Sequence, residues 1–278
     1  MPLISSTYGK GRVRVMRVHR DGDYNEVREL TVHTMLEGGF AESWTQGDNR
    51  AVVATDTIKN ICYVVAREHL RAGPEAYGSA LASRFLDRYP QVDTVRITLH
   101  ETRWQRAAFA GAPHPHSFTL DGNGMPLVEL VATRDHVAVT SGIAGFTFMK
   151  STASGWEDYV FDEMTTLPPT HDRIAATAMD AKWTWITPPA DYAATNAQIL
   201  AAMLEEFATT YSKGVQDSLY RMGEKVLAAV PEVATVSISC PNKHYIPVRM
   251  ESLGLISDNS VFIATDEPHG QIECTIGR

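Results

Sequence analysis

Three side chains in this sequence could pass protons to and from a substrate: Lys10, Thr55 and His244. A lysine acts as a base near neutrality only when burial or a second cation lowers its pKa. A threonine hydroxyl relays a proton without holding charge, and a histidine titrates near neutrality and can serve a water molecule. A second set could grip a flat polar ring. Arg173 offers a planar fork of donors, Gln216 an amide with both polarities and Trp156 an aromatic face. Taken singly, each also has an ordinary reading. Lys10 reads as a surface lysine, Thr55 with Asp56 as a helix cap, and Arg173 as the ion-pair partner of Asp172. Gln216 reads as a solvated helix residue, Asn242 after Pro241 as a turn residue, His244 as an exposed strand residue and Trp156 as core.

Other chemistries leave no trace. No Walker A or dinucleotide glycine motif follows a strand, and no G-x-S-x-G elbow or H-E-x-x-H occurs. His114-Pro115-His116 lacks a third nearby ligand and reads as a loop, and the acidic run around Glu157, Asp158, Asp162 and Glu163 reads as a solvated turn. Cys62, Cys240 and Cys274 are far apart and have no zinc spacing, so they read as ordinary thiols. These observations predict neither a metal nor an organic cofactor.

The elements that must position these residues follow from periodicity. Arg12 to Val18 and Val27 to Leu36 alternate polar and apolar around a turn at Asp21-Gly22-Asp23, which predicts a hairpin. Helical spacing predicts helices over Asp56 to Leu70 and Glu75 to Tyr89, separated by Gly73-Pro74. Strands are expected from Val92 and over Leu127 to Thr133, the latter returning from a hairpin turn at Asp121-Gly122-Asn123-Gly124. The order then repeats. Strands are predicted over Asp135 to Thr152 and Ile174 to Ile186, and helices over Asp191 to Tyr211 and Val215 to Ala229. Strands follow over Val233 to Cys240 and Tyr245 to Met250, with short ones near Val261 to Thr265 and Ile272 to Ile276. A V-x-T-V-x-I strand after a helix and a proline occurs twice, at Pro90 to Ile97 and Pro231 to Ile238. The expected fold class is therefore α+β, two ββααββ units over residues 1–134 and 135–278, with antiparallel sheets and helices on one face of each. The other sheet faces must be solvated or covered by another subunit.

Composition bounds the partners. The 278 residues are 44% hydrophobic and 21% charged, with a net charge of −8. That is globular composition without the basic surplus nucleic acid requires. No apolar run approaches a bilayer span, and neither a signal peptide nor a peroxisomal tripeptide is evident, which makes the cytoplasm the expected location.

Several motifs in order resemble the urate oxidase family: Tyr8-Gly9-Lys10, Gly47-Asp48-Asn49, Val53 to Asn60, Lys150-Ser151-Thr152, Thr165-Thr166-Leu167, Asp172-Arg173-Ile174, Gly214-Val215-Gln216 and Pro241 to Tyr245. The resemblance implies the tunnelling fold, in which dimers close sheets into a barrel and two barrels stack as a homotetramer with active sites at subunit interfaces. It implies cofactor-free oxidation of urate by O2 to 5-hydroxyisourate with release of hydrogen peroxide. It implies a relay of Lys10, Thr55 and His244, with Thr55 and Asp56 entering from a neighbouring subunit. Arg173, Gln216 and the backbone of Val215 would hold the urate edge, with Asn242 beside the O2 or water position. On this reading, mixing Lys10 and Thr55 variants could restore activity. One position departs: where the family usually stacks a phenylalanine on urate, this chain has Trp156, which preserves stacking and narrows the pocket. The alternatives are a tunnelling-fold enzyme or binding protein for another purine or a pterin.

Overall fold

The structure, a computed structural model, describes residues 1–278, with Asp21 described by its backbone alone. The chain divides into two compact units, Met1–Gly142 and Ile143–Arg278.

The first unit opens with two long strands, β1 (Tyr8–Asp21) and β2 (Tyr24–Gly38), paired antiparallel. A short helix α1 (Ala41–Thr45) leads to α2 (Thr55–His69) and α3 (Pro74–Arg88), then β3 (Val92–Thr102) and β6 (Met125–Ala132). The sheet runs β1-β2-β3-β6, with the start of β7 (Val137–Lys150) beside β6. Period 2 on the strands and period 3.6 on the helices meet in one core. Leu30, Val32 and Leu36 on β2 and Val95, Ile97 and Leu99 on β3 face Ile58, Cys62 and Val65 of α2 and Tyr77, Leu81 and Phe85 of α3, all buried. Buried Tyr77 satisfies its hydroxyl by donating to the Cys62 carbonyl at 3.1 Å. Pro74 starts α3, where a missing N–H costs nothing.

Two expectations here need correction. Residues 104–120 form a separate hairpin, β4 (Trp104–Phe109) with β5 (Ala112–Leu120), so His114 and His116 lie on a strand rather than a loop. The turn at Asp121 to Gly124 consequently links strands of different sheets instead of closing a hairpin. Loop-like composition at Pro113 and Pro115 hides a two-stranded edge ribbon, which tolerates prolines that a central strand would reject.

The second unit repeats the plan with the end of β7, then β8 (Ala175–Trp185), α4 (Tyr192–Thr209), α5 (Val215–Ala229), β9 (Val233–Pro247) and β10 (Phe262–Gly277), the sheet running β7-β8-β9-β10. β9 and β10 are each continuous where two short strands were expected, because a register shift between Thr265 and Gly270 absorbs the break in pattern. Met179, Trp183, Met203, Phe207, Met222, Val226, Val236 and Ile238 fill the core. The opposite face is polar: Thr184 and Thr235 hydroxyls meet at 2.6 Å, and those of Ser237 and Thr275 at 2.8 Å.

Lys150, from the Lys150-Ser151-Thr152 motif, is a structural cap. Its Nζ donates to the carbonyls of Phe207 at 3.1 Å and Thr210 at 2.8 Å, at the end of α4. Cations at a helix C-terminus satisfy orphan carbonyls and complement the dipole. Lys150→Met should lower unfolding free energy by about 1–2 kcal/mol, read by denaturant titration, with secondary structure retained. An unchanged midpoint would show that water replaces the cap at no cost.

Candidate functional site

The predicted residues assemble as two groups, one in each unit. In the first, Gly9 lets β1 approach β2 closely beside Lys10: a Cβ at that position would lie 1.9 Å from the Thr34 carbonyl oxygen. The β1–β2 register shifts between Lys10 and Val13, with Arg12 at a positive φ of 55°, so a bulge sets the direction of Lys10. Tyr8 ties the same strand to the approach of α2, its hydroxyl accepting from the Val53 N–H at 2.8 Å. Thr55 is the first residue of α2 and is exposed; the cap position is Ala54, and no side chain caps the helix. The helix-cap reading of Thr55 therefore fails, and its hydroxyl is not spent on the helix terminus. Asp56 pairs with Lys59, which holds its carboxyl below the usual range, and the charge of Lys10 contributes in the same direction. Lys10 and the Thr55-Asp56 step thus belong to one neighbourhood of one chain, brought together by the packing of α2 on β1.

The second group lines a cleft of about 320 Å³ formed by Trp156, Leu167, Arg173, Val215, Gln216, Asn242, His244, Gly270, Gln271 and Ile272. Its walls are built separately. The segment before β8 is laced to the approach of α5: the Arg173 N–H donates to the Ser154 carbonyl at 2.8 Å, and Gly155 N–H to Ser212 O at 2.9 Å. Trp156 and Thr170 exchange backbone bonds of 2.8 and 3.0 Å. Gly214 caps α5 without a side-chain bond, leaving Val215 and Gln216 in its first turn. The N–H groups of that first turn have no intrahelical acceptor, and the dipole there favours negative charge. Asn242 and His244 share a face of β9 with buried Cys240, and they emerge where the strand leaves the core.

Arg173 carries the electrostatics. The ion pair with Asp172 suggested by adjacency is not made, because Asp172 instead accepts from the Thr152 hydroxyl at 2.7 Å. Arg173 is partly buried, which pulls its pKa down, although the nearby Tyr211 acts the other way. Its Nε is closed off from solvent without an acceptor among the described residues. Its guanidinium lies 5.9 Å from the Trp156 ring. A buried guanidinium without a counter-carboxylate is costly unless an anion completes it.

Two contributors escaped sequence reasoning. Tyr159 stacks on Trp156 at 5.6 Å and 12°. Gly214 accommodates the indole: a Cβ there would sit 2.8 Å from Trp156 Cζ3. An aromatic three positions after Trp156 was a visible signal; nothing in the sequence marked Gly214 beyond its place in the Gly214-Val215-Gln216 motif.

Comparison with known proteins decides the family. The uricase family model matches residues 6–131 and 139–273. The chain belongs to the uricase family. It is thereby an oxidoreductase of the urate oxidase type. It is 38% identical to the uricase of Dictyostelium discoideum, over 99% of this chain and 97% of that one. It is 36% identical to that of Aspergillus flavus, over 99% and 96%. The crystal structure of uricase from Arthrobacter globiformis superposes with a TM-score of 0.94 at 35% identity, covering 100% of this chain and 95% of that one. This likeness accounts for the α+β architecture with its antiparallel strands and paired helices. Among the described residues, no group of three or more His, Cys, Asp and Glu is placed to hold a metal ion, and no helix is long and apolar enough to cross a membrane.

Proposed function

We propose that this protein oxidises urate with O2 and water to 5-hydroxyisourate and hydrogen peroxide, with no metal or organic cofactor, as a homotetramer whose active sites lie between subunits. Urate is a flat anion with donors and acceptors around its rim. The observation that best supports the reading is Arg173, partly buried with its Nε enclosed and lacking a carboxylate partner, in one cleft with Gln216 and the N-terminus of α5. Arg173 and Gln216 bind the urate edge, assisted by the Val215 backbone. Trp156 stacks on the ring, while Asn242 and His244 hold the water or O2 beside it.

The chemistry needs a second proton removed, because the resulting dianion is electron-rich enough to reduce O2 itself. Lys10 is the base, Thr55 the relay and His244 the group that manages the water proton. The substrate loses two electrons and gains the water oxygen; O2 takes the electrons and leaves as peroxide. Since Lys10, Thr55 and Asp56 share one neighbourhood of one unit, we place the division between subunits differently from the sequence-based expectation. One chain supplies this trio, and its neighbour supplies the cleft of Trp156, Arg173, Gln216, Asn242 and His244. Exposed apolar side chains of the second unit agree with burial on assembly: Val160 is 86%, Met164 82% and Ile256 88% exposed.

The test is urate absorbance and oxygen uptake by protein stripped with EDTA. Full activity with stoichiometric peroxide is expected. Loss of activity on chelation, restored by one metal per chain, would overturn the cofactor-free reading.

A further inference from the structure

Away from this site, the first unit carries a second pocket, of about 280 Å³, on the helix-side face of the β1–β2 hairpin. Its lining is unusually cationic. Arg17, Arg28, Arg71 and Arg106 outnumber the one lining carboxylate, Glu26, with Trp104 and Phe118 as aromatic walls. Arg17 and Arg28 are direct cross-strand partners, an arrangement that is destabilising for like charges unless something neutralises it. Arg28 is neutralised by Glu101 at 2.9 Å, and Arg71 pairs with Glu26 at 3.1 Å. Arg106 is fixed by donating to the backbone carbonyls of Asn25, His114 and Pro115, and its guanidinium lies 4.8 Å from the Phe118 ring and 5.3 Å from that of Tyr24. Carbonyls orient a guanidinium without cancelling its charge. Arg17 forms no ion pair among the described residues, and its Nη1 is closed off from solvent without an acceptor. A sequestered charged donor with no acceptor, facing a pocket walled by three further guanidiniums, calls for an acceptor bearing negative charge.

We propose that this pocket binds a phosphate group, with Arg17 as its central ligand and Arg106 and Arg28 as the flanking positive charges. Arginine forks match a tetrahedral oxyanion, which can accept from several donors at once. The pocket is larger than one oxyanion, and Trp104 and Phe118 could carry a planar group attached to it. Two sources share this chemistry, free inorganic phosphate and the phosphate of a nucleotide.

The experiment is calorimetric titration of the full chain at low ionic strength, with inorganic phosphate in one arm and AMP in the other, for wild type, Arg17→Gln and Arg14→Gln. Arg14 is the control, since it points to solvent and pairs with Glu29. We expect saturable phosphate binding that Arg17→Gln weakens by about tenfold or more and Arg14→Gln leaves unchanged. Urate turnover should be the same in all three proteins. AMP binding more tightly than phosphate would name the nucleotide as the source; equal affinities would name free phosphate. Binding that is absent, or weakened equally by both substitutions, would overturn the site. So would Arg17→Gln altering the oligomeric state while phosphate fails to bind, since the missing acceptor would then be a neighbouring subunit's carboxylate.

Discussion

Lys10→Met should lower urate consumption by about a hundredfold or more while urate still binds, and Thr55→Ala should do the same, if the proposed relay operates. Neither residue belongs to the Trp156–Arg173 cleft, so removing either should spare the contacts that set affinity. In kinetic terms kcat falls and KM changes little, the signature of a group acting in the chemical step. The structure sharpens this into a test of how subunits share the site. Lys10 acts electrostatically on Asp56 of its own chain, and α2 packs on β1, so Lys10 and Thr55 travel together. A chain dead at Lys10 cannot be rescued by one dead at Thr55, because every trio in the mixture carries a defect. Arg173 belongs to the cleft, so Lys10→Met mixed with Arg173→Gln does complement. The Arg173→Gln chain offers an intact trio to the intact cleft of its partner. After free exchange, half the pairs are mixed and each holds one good site of two, which gives about a quarter of wild-type activity. Recovery from the Lys10/Thr55 mixture, or none from the Lys10/Arg173 mixture despite proven exchange, contradicts this division. Near-normal rates in both single variants would end the relay.

How far the sequence carried this reading depended on the kind of signal. Alternation over β1 and β2 and helical spacing over α2 and α5 are backbone periodicities, and they placed those elements to within a few residues. The expected span of α5 coincides with the observed Val215–Ala229, whose apolar stripe marks it. The β4–β5 ribbon was invisible because its burial is shallow and its prolines mimic a loop. The two-strand readings of β9 and β10 came from treating a bulge as an interruption. For the candidate site, residue types suggested the chemistry and partnership was not legible. The sequence suggested that Asp172 would neutralise Arg173 and that Thr55 would cap its helix. In both cases a neighbour in sequence is not the partner in space: Thr152 takes Asp172, and Ala54 occupies the cap. Those two failures of the ordinary readings leave Arg173 and Thr55 free for chemistry.

Gly214→Ala should cut kcat/KM for urate by about tenfold or more, mainly through KM, and Trp156→Phe should restore most of the loss. The backbone is not the cause, since φ at Gly214 is −177°, extended and open to any residue. The cause is space. A Cβ at Gly214 would stand 2.8 Å from Trp156 Cζ3 and 3.2 Å from Cε3, both on the six-membered ring of the indole. The ring cannot slide away freely, because Tyr159 stacks on one face and the 156–170 backbone bridge fixes its root. The ring must shift from its place, which alters the stacking surface, and the added Cβ itself stands 3.4 Å from Gln216 Oε1. Phenylalanine lacks the second ring, so in the double variant the clash is gone and a stacking face remains. The two substitutions should therefore be strongly non-additive, with a coupling of about 1–3 kcal/mol in a double-mutant cycle. This coupling reports on Trp156 itself. If the indole is the stacking platform, its shift changes KM; if it only packs the wall, Gly214→Ala lowers stability and leaves KM alone. Measuring both KM and the unfolding midpoint for the four proteins separates these cases, and additive effects on KM would remove Trp156 from the binding surface.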